Sequence, residues 1–120
     1  MVVNIGESEW YVMKALWEKS PQSGNDIVKI VSARTDWSQS TILTMVRRLV
    51  KKQAIGVEKQ SVMMYYPLVE EGEIVRRETD LFVKRVYEGS VNMLIKGYIE
   101  SGELSNEEID ALRKMLEKTK

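Results

Sequence analysis

Apolar side chains recur at helical intervals through most of this chain and change rhythm in one short region. In "GESEWYVMKALWEKS", Trp10, Met13, Leu16 and Trp17 are spaced i, i+3, i+6 and i+7, which is one face of a helix. Glu7 and Glu9 stand at its start and Lys19 at its end, the signs that a helix dipole favours, and Gly6 is placed to act as N-cap. Pro21 stops the pattern. "SGNDIVKIVSART" then opens on Ser23, with Asp26 three residues later in capping-box spacing. Ile27, Ile30 and Val31 give this second, short helix a narrow apolar stripe. A third helix follows in "TDWSQSTILTMVRRLVKK", with Ser38 as N-cap and Ile42, Met45, Val46 and Leu49 on one side.

The period then shortens to two. In "AIGVEKQSVMMYYPLV", Val57 and Lys59 alternate with Glu58, and Val62, Met64 and Tyr66 alternate with Met63 and Tyr65. Lys59, Gln60 and Ser61 form the expected bend, and Pro67 ends the second strand. Three helices and a hairpin, in that order, are the signature of a winged helix-turn-helix. From Glu70 the helical rhythm returns in "EEGEIVRRETDLFVKRVYEG", "SVNMLIKGYIES" and "LSNEEIDALRKMLEK". The last opens with a capping box, Ser105 with Glu108, and buries Ile109, Leu112, Met115 and Leu116. The predicted fold is mainly α with a small β-hairpin: a winged helix-turn-helix in residues 1–70, followed by a three-helix dimerisation region in residues 71–120.

Composition narrows the chemistry. The chain contains no cysteine and no histidine. That removes disulfides, thiol catalysis, Cys/His zinc sites and every histidine-based triad. No acidic pair stands at a recognisable active-site spacing, so the expectation is no enzyme, no metal and no cofactor. No apolar run approaches the ~20 residues that span a bilayer, and "MVVNIGESEW" lacks the features of a signal peptide. A cytoplasmic protein without a membrane partner is expected.

The formal net charge is zero, so bulk electrostatics do not announce a polyanion as partner. The distribution does more. Residues 1–70 hold nine Lys/Arg against seven Asp/Glu, residues 71–120 nine against eleven, and Arg47, Arg48, Lys51 and Lys52 fall within one short segment. With Ile42 centred on the buried side of the third helix, 100° per residue places Ser40, Thr44, Arg47 and Lys51 near the opposite side. Short hydroxyls at the N-terminal end would let a helix sink into a major groove, and Arg47 could grip a guanine edge or a phosphate. Arg48 and Lys52 flank the stripe and suit the backbone, as does Lys59 at the hairpin tip. On an isolated helix such a stripe would be read as a solvated face. On the third helix of a helix-turn-helix it points to double-stranded DNA. The competing reading is a winged-helix protein-interaction module that binds no DNA. Trp10, Trp17, Tyr65 and Tyr66 are read mainly as packing, as is Trp37, which could alternatively touch sugar or phosphate.

Residues 71–120 are few for an independent core. Ile74, Val75, Leu81, Phe82, Val83, Val86 and Tyr87 cover more of one helix than a single small neighbour could bury, and Val91, Leu94, Ile95, Tyr98 and Ile99 repeat the excess on the next. A homodimer is expected, with Leu81, Phe82, Val86, Leu94, Tyr98, Ile109, Leu112 and Leu116 in its interface. A two-fold pair would present two recognition helices to a palindromic operator.

Four segments carry a family resemblance: "ESEWYVMKALWEKSPQSGNDIV", "TDWSQSTILTMVRRLVKKQAIG", "YYPLVEE" and "GELSNEEIDALRKML". They resemble the penicillinase-repressor family, the BlaI/MecI/CopY type, from about Ile5 to Leu116, most specifically in the run from Trp37 to Leu49. The resemblance implies a homodimeric winged-helix repressor that binds inverted repeats of TACA/TGTA type. It maps the family's helix contacts onto Ser38, Ser40, Thr41, Thr44, Arg47 and Arg48; periodicity alone sets Thr41 to one side. Gln39 and Ser40 depart from the pattern, which commonly has proline and then a cation. The β-lactam branch is inactivated by a protease at an Asn–Phe bond, where this chain has Gly97–Tyr98. The Cys-x-Cys pair of the copper-sensing branch is absent.

Overall fold

The computed structural model describes residues 3–119. Residues 7–9 form a turn, and helix α1 runs over Trp10–Glu18, with Glu9 rather than Gly6 at its N-cap. The Gly6 N–H donates to Oε1 of Glu9 at 2.7 Å, so the glycine supplies a donor to a carboxylate instead of capping the helix. Val12, Met13, Ala15 and Leu16 are fully buried, while Trp10 and Trp17 are partly buried and packed on the core. The C-terminal end of α1 is closed by Gln22, a buried side chain whose Nε2 donates to the carbonyls of Ala15 (2.9 Å) and Lys19 (2.6 Å).

Gln22 also belongs to strand β1 (Gln22–Ser23), a third strand beyond the expected hairpin. Helix α2 (Gly24–Ser32) starts at its Ser23 cap, whose Oγ accepts the Asp26 N–H at 3.2 Å. Helix α3 spans Gln39–Lys51 and is capped by Ser38 in the same way. It ends with Gln53 in the left-handed region (φ 68°); the Gln53 and Ala54 N–H groups bond the carbonyls of Val50 and Leu49. That pair of bonds is the Schellman arrangement, usually built on glycine.

Strands β2 (Ile55–Lys59) and β3 (Met63–Pro67) form the hairpin, and the antiparallel sheet has the order β1-β3-β2. The bend sits one residue later than expected, because Lys59 still pairs with Met63 and residues 60–62 turn. Gly56 lies opposite Tyr66, and a Cβ on Gly56 would come within 2.5 Å of that ring. The glycine thus lets the tyrosine lie against the strand backbone, a familiar way of covering a strand glycine. Ile5, Met13, Leu16, Ile27, Ile42, Leu49 and Ile55 are among the residues of the core beneath.

The chain divides into two compact units, Met1–Ile74 and Val75–Lys120. The division falls within helix α4 (Glu71–Tyr87), because Ile74 is buried in the N-terminal core. Glu88 and Gly89, both at positive φ, end α4. Helix α5 (Val91–Ser101) is capped by Ser90 and stopped by Gly102 at φ 73°. Helix α6 (Asn106–Lys118) has a complete capping box: Ser105 and Glu108 each accept the other's N–H, at 3.1 and 3.0 Å. Neither α5 nor α6 contains a buried residue.

Candidate nucleic-acid interface

The inner face of α3 fixes which residues look outward. Ile42, Met45, Val46 and Leu49 are each 8% exposed or less. Burial of such a side chain stabilises by about 1.5–3 kcal/mol, so turning the helix about its axis is costly. Ser38, Ser40, Thr41, Arg47, Arg48 and Lys51 are consequently exposed, and Thr44 is half-buried. Lys59 is exposed at the end of β2. A shallow cleft of about 270 Å³, lined by Gly24, Leu43, Val62, Met63 and Tyr65, sets the wing tip beside α2 and α3.

The hydroxyls on this face are mostly engaged within the helix. Ser38 Oγ accepts the Thr41 N–H at 3.2 Å and donates to Thr41 Oγ1 at 3.0 Å. Thr44 Oγ1 donates to the Ser40 carbonyl at 2.8 Å and accepts from Nη2 of Arg47 at 3.2 Å. Arg47, Arg48, Lys51 and Lys59 make no ion pair among the described residues. Elsewhere in the same unit Lys14 pairs with Glu71, and Arg34 with Glu18.

Lys52 departs from the expectation that it would flank the stripe. Its ammonium is bound to the Glu9 carboxylate and to the Asn4 carbonyl, the latter at 2.9 Å. Glu9 is only 5% exposed, and a buried carboxylate needs a cation more than a surface phosphate site does. Trp37 is half-buried on the core and stacked edge-on against Tyr11 at 5.0 Å, which is packing. Val62 and Met63, both about half exposed at the wing tip, had no mark in the alternation that would separate them from buried strand residues.

The C-terminal end of α1 shows one clear electrostatic effect. Nη2 of Arg34 donates to both oxygens of Glu18, at 3.0 and 2.8 Å. These bonds hold the Glu18 carboxyl below its ordinary pKa and raise the guanidinium in turn.

Residues 5–118 match the penicillinase repressor family model. The chain belongs to the penicillinase repressor family. It is 38% identical to the methicillin resistance regulatory protein MecI of Mammaliicoccus sciuri over 115 residues, covering 95% of this chain and 94% of that protein. It is 34% identical to the penicillinase repressor of Bacillus licheniformis over 120 residues, covering 99% and 94%. Among solved structures it resembles the monomeric form of Bacillus licheniformis BlaI in complex with the blaP half-operator. That match has a TM-score of 0.55 and 35% identity, covering 61% of this chain and 90% of that one. The winged-helix expectation holds, with the sheet enlarged by β1.

In the second unit, Leu81, Phe82, Val86, Tyr98 and Leu116 of the expected interface are exposed, while Leu94, Ile109 and Leu112 are half-buried. An apolar cleft of about 390 Å³ opens between α5 and α6, lined by Ile95, Ile99, Ile109, Leu112, Met115 and Leu116. Gly97 and Tyr98 lie inside α5, both exposed.

Proposed function

We propose that this chain is a transcriptional repressor that binds double-stranded DNA as a homodimer on an inverted-repeat operator of TACA/TGTA type. Residues 1–70 supply the DNA-binding winged helix and residues 71–120 the dimerisation region. Ser38, Ser40, Thr41, Thr44, Arg47 and Lys51 form the face that enters the major groove, Arg48 flanks it on the DNA backbone, and Lys59 meets a phosphate from the wing. The observation that carries this reading is the set of exposed cations on the outer side of α3 and on the wing, Arg47, Arg48, Lys51 and Lys59, none of which makes an ion pair among the described residues. Family membership and the likeness to a repressor bound to its half-operator support it. The exposed apolar side chains of α4, α5 and α6 support the two-fold pair. An inactivating protease is a further proposed partner; its target segment lies in α5, whose backbone would have to unwind to enter a protease cleft.

Electrophoretic mobility shift tests the proposal, using a TACA/TGTA palindrome against a scrambled duplex of equal length. The palindrome should shift preferentially. Its binding constant should fall with salt at a log–log slope of about −0.9 per phosphate contacted. Absence of any shift at moderate salt, together with a stable protein partner in pulldown, would instead establish a protein-interaction module.

A further inference from the structure

Thr44 and Arg47 are one hydrogen-bonded unit on the outer face of α3. The hydroxyl of Thr44 has a single proton and two lone pairs. The proton goes to the Ser40 carbonyl at 2.8 Å, and one lone pair receives Nη2 of Arg47 at 3.2 Å. A hydroxyl so engaged has no proton left for a phosphate oxygen or for a purine N7. Arg47, by contrast, keeps most of its fork of five N–H donors open, since one nitrogen is tied and no carboxylate among the described residues pairs with it. The guanidinium is exposed, and its tether lies one turn back along the helix, toward the N-terminal end. A long arginine free in solvent must surrender rotamer entropy when it docks. One already tethered has surrendered part of it beforehand.

We infer that Thr44 is a positioning residue: its hydroxyl, anchored on the Ser40 carbonyl, aims the Arg47 guanidinium at the operator and does not itself bond the DNA. Ser40, whose own hydroxyl makes no hydrogen bond among the described residues, contributes through its backbone carbonyl whatever its side chain does. The inference rests on the DNA-binding reading above and assigns a division of labour within that face.

A double-mutant cycle on operator affinity tests it in the full-length protein. Thr44→Val removes the hydroxyl and keeps the shape; Thr44→Ser keeps the hydroxyl and removes the methyl group. Thr44→Val should weaken operator binding about two- to twelvefold, the entropy of fixing one long side chain. Thr44→Ser should bind within about twofold of the parent, because the tether survives. Arg47→Ala should weaken binding roughly fivefold to 150-fold. In the Arg47→Ala background, Thr44→Val should cost nothing further, since its hydroxyl no longer has an arginine to aim. Thermal unfolding of each variant must match the parent, so that affinity reads the face and not the fold. Losses that add across the two sites, or a Thr44→Val protein that binds like the parent, would overturn the inference alone. So would a Thr44→Ser protein that loses as much as Thr44→Val, because that result assigns the contact to the methyl group. A parent that binds no duplex preferentially would remove the DNA-binding reading and the inference with it.

Discussion

Glu9 and Glu18 bracket the first helix, and the fold uses the two carboxylates differently. Glu9 is buried and bound by the Gly6 N–H and the Lys52 ammonium, so it ties the segment ahead of α1 to the residue that closes α3. Glu18 is exposed and clamped by Arg34 from just beyond the C-terminal end of α2. The clamp's hydrogen bonds favour the ionised carboxylate and hold its pKa low. The sign follows from linkage. A carboxyl with a depressed folded-state pKa contributes stability that is present above its unfolded pKa and is lost as pH falls through the folded one. Carbon-detected NMR titration of the Glu18 carboxyl should therefore show a midpoint below that of an unperturbed glutamate. In Arg34→Ala the midpoint should return upward, and the stability difference between the two proteins should shrink as the solution is acidified. An unchanged Glu18 midpoint in Arg34→Ala would show that the clamp does not persist in solution.

Helix α3 shows how much an element's sequence can reveal. Its start was legible because the N-cap is a local device: Ser38 and the N–H three residues on are set by their own spacing. Its inner face was legible because four apolar residues at the 3.6-residue period leave one solution, and the same arithmetic named Ser40, Arg47 and Lys51 as outward. Its end was not marked, since the residue in the left-handed position is Gln53 and not glycine. Gln53→Gly should raise stability by about 0.5–1 kcal/mol, the relief of left-handed strain less the entropy of a freer unfolded chain. Chemical denaturation measures it, and a destabilised variant would mean that the Gln53 side chain contributes more than its backbone costs. The features the sequence hid have remote causes. Strand β1 is two residues long, too short for any period, and exists because Gln22 and Ser23 meet Tyr65 and Met64 of β3. Gly6 looked like a cap because the cation that binds the Glu9 carboxylate, Lys52, is 43 residues away. For the same reason Lys52 seemed free to join the candidate DNA face. Thr44 was placed on the face by periodicity, but the bond through which it meets Arg47 depends on rotamers that periodicity does not specify.

At the scale of the whole molecule, the two units differ in how completely they bury their own apolar surface. Met1–Ile74 holds a core in which every helix contributes fully buried side chains. Val75–Lys120 leaves Leu81, Phe82, Val86, Val91, Met93, Met115 and Leu116 exposed, with Val83 its one buried apolar side chain among the described residues. Open apolar surface on that scale marks an interaction face, and burial by another chain would stabilise a segment of that size. The proposed homodimer supplies it and links two recognition helices, so that the second half-site is bound at the effective concentration set by the first. Separating the protomers should then damage palindrome binding far more than half-site binding. Replacing Leu81 and Leu116 together by glutamate buries repelling charges in the interface while leaving the N-terminal core untouched. The double variant should sediment as a single chain where the parent sediments as a dimer. Its affinity for a full palindrome should fall by about 10²–10⁴-fold, the usual worth of a bivalent linkage, with half-site affinity held within a few-fold. A parent that sediments as one chain at micromolar concentration would defeat the dimer directly. A charged variant that still pairs would place the interface elsewhere on these three helices.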